Sequence, residues 1–139
     1  MQKHNHWLLK AKSDLNLAKK GLSGEPNTLD SAIYHTQQCA EKILKAYLVL
    51  LVGDIPIKTH DLTLLLALCK KHDEGFDLLN KDVAVLNPYA TEFRYPDDFI
   101  NIPEKFVVED AIFRAEKILN FVKEKISEIE MGQKNIFNR

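Results

Sequence analysis

The sequence predicts an all-α protein, a single up-and-down bundle of about five helices. Three observations carry this reading. Glycine and proline punctuate sparingly, five of each in 139 residues, and between them apolar residues recur at helical spacing. No segment shows strand alternation bounded by turn dipeptides. No internal repeat, low-complexity tract or linker divides the chain, so one domain is expected over 1–139, with its core at 3–130 and a polar tail at 131–139 that frays.

The elements follow in order. Leu8, Ala11, Leu15, Ala18 and Leu22 sit at i, i+3, i+7, i+10 and i+14, one apolar stripe with Lys10, Lys12, Lys19 and Lys20 mostly elsewhere. Gly21 and Gly24-Glu25-Pro26-Asn27 are expected to end this helix. Thr28 or Asp30 then caps a second helix reaching about Leu51. Its stripe is Ile33, Ala40, Leu44, Tyr47 and Leu51, yet Cys39, Ile43, Ala46, Val49 and Leu50 are apolar on the remaining sides. A helix apolar all round must be covered all round. It is therefore either the centre of the bundle or a helix that also packs on a second subunit.

Gly53-Asp54-Ile55-Pro56 closes that helix, and Thr59 is expected to cap a third, with Asp61 near its positive end. Leu62, Leu65, Leu66 and Cys69 form the third core face. Phe76, Leu79, Val83 and Leu86 form a fourth, stopped by Asn87-Pro88. Tyr89 to Ile102 lacks clean periodicity and is long for a bundle connection of about 2–8 residues. Pro103 suits the first turn of a last helix, whose Val108, Ala111, Ala115, Ile118, Val122, Ile126 and Ile129 hold one face.

Composition narrows the function. Nineteen Lys and Arg against twenty Asp and Glu leave a net charge of -1, and the pI is near 6.5. A nonspecific nucleic-acid binder usually has a domain pI above about 9. Any anionic ligand must therefore be held by a few named groups. The run Tyr47 to Val52 falls far short of the roughly 18 residues of a membrane span. The N-terminal residues carry lysines and no apolar signal core, and Cys39 and Cys69 stand alone without a CxxC. The expected setting is the cytoplasm, with both thiols reduced and buried.

Several chemistries lack their residues. There is no Gly-rich phosphate loop, no HExxH, and no serine elbow around Ser13, Ser23, Ser31 or Ser127. The histidines at 4, 6, 35, 60 and 72 have no ligand-spaced neighbours, and adjacent Asp97 and Asp98 do not converge well on one ion. Three polar clusters remain. His35, Gln38 and Lys42 share a face of the second helix, flanked by Gln37, Glu41 and Lys45. They suit a phosphate or a base edge, or they form a solvated face with Glu41–Lys45 as an i, i+4 pair. Thr59-His60-Asp61-Leu62 is a helix cap that also offers an anion site. Phe93-Arg94-Tyr95-Pro96-Asp97 sets an arginine between two aromatics, to meet a phosphate or stack on a base, or to pack over the bundle end.

Four pieces in order resemble the HEPN domain, the higher-eukaryote and prokaryote nucleotide-binding domain. They are Trp7 with Ala11, Asp14, Leu15 and Ala18; Ala32 through His35, Gln38, Ala40, Glu41, Lys42, Leu44, Lys45 and Ala46; Thr59-His60-Asp61-Leu62; and Arg94-Tyr95-Pro96. The resemblance spans roughly 3–127. It implies a five-helix bundle, similar to the helical domain of nucleotidyltransferases, that forms homodimers and works beside a minimal nucleotidyltransferase. Many relatives are metal-independent ribonucleases, often toxins of toxin–antitoxin pairs, with an arginine followed a few residues later by a histidine. Here that histidine is missing. Phe99, Ile100 and Asn101 stand where it should follow Arg94, and Leu119, Asn120 and Phe121 where it should follow Arg114. Asparagine cannot supply the proton transfer, typically worth about 10²–10⁴-fold.

The resulting expectation is a noncatalytic HEPN-like homodimer that binds a nucleotide, a partner nucleotidyltransferase, or both. Its ligand-binding residues are Gln38, Lys42, His60, Arg94 and Tyr95, with no catalytic residue, no metal and no cofactor beyond the nucleotide. RNA is a less favoured ligand. The alternatives are an atypical ribonuclease toxin and a dimeric adaptor without a small ligand.

Overall fold

The computed structural model describes residues 2–53, 58–93 and 102–137, with side chains placed as far as 133. It is an all-α bundle: α1 (Lys3–Ser23), α2 (Leu29–Val52), α3 (Leu62–Lys70), α4 (Asn80–Leu86) and α5 (Lys105–Phe137). Two 3-10 turns, Glu74–Leu79 and Asn87–Ala90, bracket α4, and there is no strand among the described residues. No described helix is long and apolar enough to cross a membrane.

The apolar stripes land where periodicity puts them. Ala11, Leu15 and Ala18 of α1 are buried, as are Ile33, Ala40, Leu44 and Tyr47 of α2 and the whole stripe of α3. Val108, Ala111, Ala115, Ile118, Val122 and Ile126 of α5 join them in one core, with Leu8, Leu22, Leu51 and Ile129 partly buried at its margins. Phe76 is a junction of three elements. Its ring lies 4.6 Å from Tyr47 of α2 and 5.1 Å edge-on from Phe121 of α5.

α2 is the central helix. Cys39, Ile43, Ala46 and Val49, on the sides away from its main stripe, are buried within the one chain. α1, α5, α3 and the turns around α4 all pack on it, so it needs no second subunit to cover it. Both cysteines are free and buried, and burial pushes each thiol up to about 12.

Several boundaries differ from those expected. α1 runs through Gly21 to Ser23, because Gly21 is where α2 crosses closely. A Cβ there would meet Ala32 Cβ and Thr28 Oγ1 at 3.0 Å each. Thr28 holds the N-cap position of α2 without a side-chain cap bond. The cap of α3 is Asp61, not Thr59. Asp61 accepts from the amides of Thr63 and Leu64, while Thr59 Oγ1 accepts from the Asp61 amide. Asn87 ties this cap to the end of α4 by accepting from the Leu62 amide at 2.9 Å and donating to Asp61 Oδ1 at 3.1 Å. The chain past Leu86 turns on as a 3-10 turn with Pro88 in it. Pro103 is buried just ahead of α5, and α5 itself continues through Gly132 to Phe137.

The close α1–α2 crossing makes a stability prediction. Gly21→Val forces a branched side chain against Ala32 and the Thr28 backbone. It should lower the unfolding free energy by about 1–3 kcal/mol, the usual cost of overpacking, read from urea melts followed by circular dichroism.

Candidate functional site

A helix this largely enclosed must find partners for every polar residue it buries. On α2 those residues are Thr36, Gln37, Glu41 and Lys45, all buried. Thr36 satisfies itself by donating from Oγ1 to the Ile33 carbonyl at 2.6 Å. The others reach across to α1 and to the segment before α3, and together with their half-buried neighbours they build a polar seam.

The seam's inner end is a three-residue cluster. Asp14 lies on the core side of α1, and its two carboxylate oxygens each hold one nitrogen-bearing side chain from α2. His35 Nδ1 donates to Oδ1 at 2.8 Å and Lys42 Nζ to Oδ2 at 2.6 Å. His35 and Lys42 are each 23% exposed against 7% for Asp14, so the carboxylate is the anchor and its partners face outward. One acid serves both because i and i+7 lie two turns apart on one face, and Asp14 stands opposite the gap between them. Fixing Nδ1 in this way also fixes the ring, leaving Nε2 as the nitrogen that a ligand can meet.

Farther along α2, Gln38 Nε2 donates to Gln37 Oε1 at 2.8 Å, and Gln37 Nε2 donates to the His60 carbonyl at 3.1 Å. Glu41 accepts from His60 Nδ1 at 3.0 Å and from Lys45 Nζ at 3.1 Å. The Glu41–Lys45 pair is therefore not part of a solvated face. Both members are buried, and Lys45 also stands over the Trp7 ring, 5.6 Å from its centre. His60, by contrast, is 76% exposed.

Beside His35 opens a cleft of about 330 Å³ lined by Asp30, Ser31, Tyr34, His35 and Phe93. The Tyr34 ring meets His35 edge-on at 5.4 Å, and Phe93 packs 6.0 Å from Tyr89. Such a volume sits at the small end of ligand pockets, which run to about 300–1,000 Å³. Among the described residues no group of three or more His, Cys, Asp or Glu side chains is placed to hold a metal ion.

The sequence-based candidates divide accordingly. Gln38 and His60 are joined through Gln37, while Lys42 belongs to the Asp14–His35 cluster beside them. Arg94 and Tyr95 lie outside the described residues. The candidate set lacked the group that organises the site, Asp14, and its partner His35. A signal for Asp14 was present: an acid between Ala11 and Leu15, on an apolar face, implies a buried cationic partner.

An all-α bundle whose central helix carries such a seam defines a compact helical module. The HEPN domain model matches residues 4–125, and the chain belongs to the HEPN family. It is similar to TT1696 from Thermus thermophilus, with 30% identity and a TM-score of 0.76 over 90% of this chain and 99% of that one. It is also similar to ST0689, an archaeal HEPN homologue, with 26% identity and a TM-score of 0.69 over 91% of this chain and 99% of that one. No curated protein matches the chain.

Removing the anchor should be felt in stability. Asp14→Ala leaves His35 and Lys42 without their shared acceptor, but both are exposed enough to regain water. The expected cost is about 1–3 kcal/mol, the range for hydrogen bonds to charged groups, well short of what a fully buried pair loses. Urea denaturation of wild type and variant measures it.

Proposed function

We propose that this HEPN domain is a ligand-binding module without catalysis of its own, which holds a nucleotide on the α1–α2 seam. The observation that carries the reading is the buried Asp14 carboxylate fixing His35 and Lys42 on one face, next to a cleft with aromatic walls. Two nitrogen groups against one carboxylate leave capacity for a phosphate. Tyr34 and Phe93 offer the faces on which a base can stack. Gln38, between His35 and Lys42 on the same face, supplies an amide, and His60 an exposed imidazole at the far end. The sequence runs from Phe93 directly into Arg94 and Tyr95, which in this reading complete the phosphate and base contacts. Homodimer formation and docking to a minimal nucleotidyltransferase belong to the same reading, and their support is the family resemblance.

Calorimetric titration with ATP and GTP, with and without magnesium, is the test. Binding should be measurable below millimolar nucleotide, and Lys42→Ala should weaken it about tenfold, roughly 1.4 kcal/mol, with the helical signal unchanged. No heat at millimolar nucleotide would remove the reading.

A second reading has one observation in its favour. A histidine oriented by a buried carboxylate has the arrangement of a general base, and His35 lines the same cleft as Phe93. The missing histidine after Arg94 would then be replaced in space by His35, giving an atypical metal-independent ribonuclease. In that case expression in bacteria arrests growth, and both Arg94→Ala and His35→Ala relieve the arrest. Growth unaffected by wild-type overexpression decides against it.

A further inference from the structure

The groove between α1 and α2 continues past Lys42. Antiparallel packing sets Asp14 beside His35 and Lys42, and Trp7 beside Lys45. Lys10, three residues from Trp7 toward Asp14, is thereby level with Lys42, three residues from Lys45 toward His35. Lys3, Trp7, Lys10 and Asp14 stand at i, i+4, i+7 and i+11 and form one flank of α1. Along α2 the facing stripe is Ser31, Tyr34, His35, Gln38 and Lys42, exposed or half-buried throughout, and it ends at buried Lys45 under the Trp7 ring. There a second cleft opens, of about 270 Å³, lined by Lys3, His6, Trp7 and Lys10.

Charge varies along this groove. The Asp14 carboxylate is taken by His35 and Lys42, and that of Glu41 by Lys45 and His60. Asp30 lies at the outer end, in the first cleft. Among the described residues no carboxylate lines the second cleft, and His6 and Lys10 enter no ion pair. An anion is therefore favoured in the middle, between Lys10 and Lys42, with an uncharged ring at each end. The ends are aromatic: Tyr34 and Phe93 at one, Trp7 at the other. Lys45 Nζ stands over the Trp7 ring at 5.6 Å and is itself held by Glu41 at 3.1 Å, so the indole is fixed before any ligand arrives.

We propose that the groove takes a free dinucleotide, two nucleosides joined through a short phosphate bridge. One base lies against Tyr34 and Phe93, the other lies in the Trp7 cleft, and the bridge passes between Lys10 and Lys42. The inference rests on the nucleotide reading above and names the ligand class of that same site. From His35 to Lys45 the helix rises about 15 Å. A single base cannot stack at both ends of that length, whereas two nucleosides on a phosphate bridge reach both. A net charge of -1 suits a compact ligand better than a long strand, whose binding draws on many phosphate contacts.

Trp7 is the single tryptophan of the chain, so its fluorescence reports the second cleft alone. Diadenosine triphosphate and ATP are the probes. The dinucleotide should quench Trp7 and bind about tenfold tighter than ATP, the added stack supplying the difference. ATP, with its one base on Tyr34 and Phe93, should leave the emission nearly unchanged. Trp7→Leu should bring the two affinities together, and the wild-type quench carries the same test should that variant fail to fold. Lys10→Glu, at an exposed position, should weaken the dinucleotide about tenfold with circular dichroism unchanged. ATP binding without a dinucleotide gain and quench overturns the proposal and leaves the nucleotide reading standing. Quenching by ATP as deep as by the dinucleotide puts a single base on Trp7 and overturns it too, as does a Lys10→Glu affinity equal to that of wild type. A long oligoadenylate that binds tighter than the dinucleotide makes the ligand a strand and likewise overturns it. Binding of neither probe removes both readings.

Discussion

The burial of α2 over most of its surface is the constraint from which the other features follow. A central helix needs a neighbour over each face, and α1, α3, α5 and the turns around α4 supply them. The same enclosure removes solvent from the polar residues that α2 carries. An unpaired polar group left inside costs on the order of 1–3 kcal/mol, and more when charged, so each must be met by a partner from another element. Asp14 from α1 and His60 from the segment before α3 meet that requirement. The polar seam and the fold are thus products of one condition.

This condition explains how a chain with almost no net charge can still gather several nitrogen side chains on one face. These nitrogen groups are not spread over a surface. They are gathered on one side of α2 and held by buried acids, Asp14 for His35 and Lys42, and Glu41 for Lys45 and His60. A held side chain has already lost its rotamer freedom on folding, so a ligand does not have to order it again. The gain is geometric definition rather than raw field strength.

α4 shows the same logic in a purely structural role. Asp82 is buried, and Arg114 donates to its Oδ1 at 3.0 Å while Arg114 Nε is held by Asp110. Lys117 stands 3.0 Å from Oδ2, which accepts no hydrogen bond among the described residues. That contact is an ion pair without hydrogen-bond alignment. These charges fasten a two-turn helix, too short to be stable alone, onto α5. Near the two ends of α1, buried His4 lies 2.8 Å from Glu130 and Lys19 lies 2.6 Å from Glu116. Together these pairs set α1 antiparallel to α5.

The sequence by itself determined the helical class, the core stripes and the all-round apolar character of α2, since these depend on spacings within one segment; that its own chain covers it was decided by the fold. Periodicity placed Leu62, Leu65, Leu66 and Cys69 inward without knowledge of what they would touch. It also gathered His35, Gln38 and Lys42 on one face. Only the tertiary structure decided what that face is. Whether Glu41 and Lys45 are solvated or buried depends on Trp7, a whole helix away in the chain. The role of His35 depends on a carboxylate that α1 brings across. Capping followed the same rule: Thr59 and Asp61 were both suitable by residue type, and the contact with Asn87 of a later element accompanies the choice of Asp61. Local pattern reports which way a side chain points; its partner comes from another helix, and no local spacing encodes that meeting.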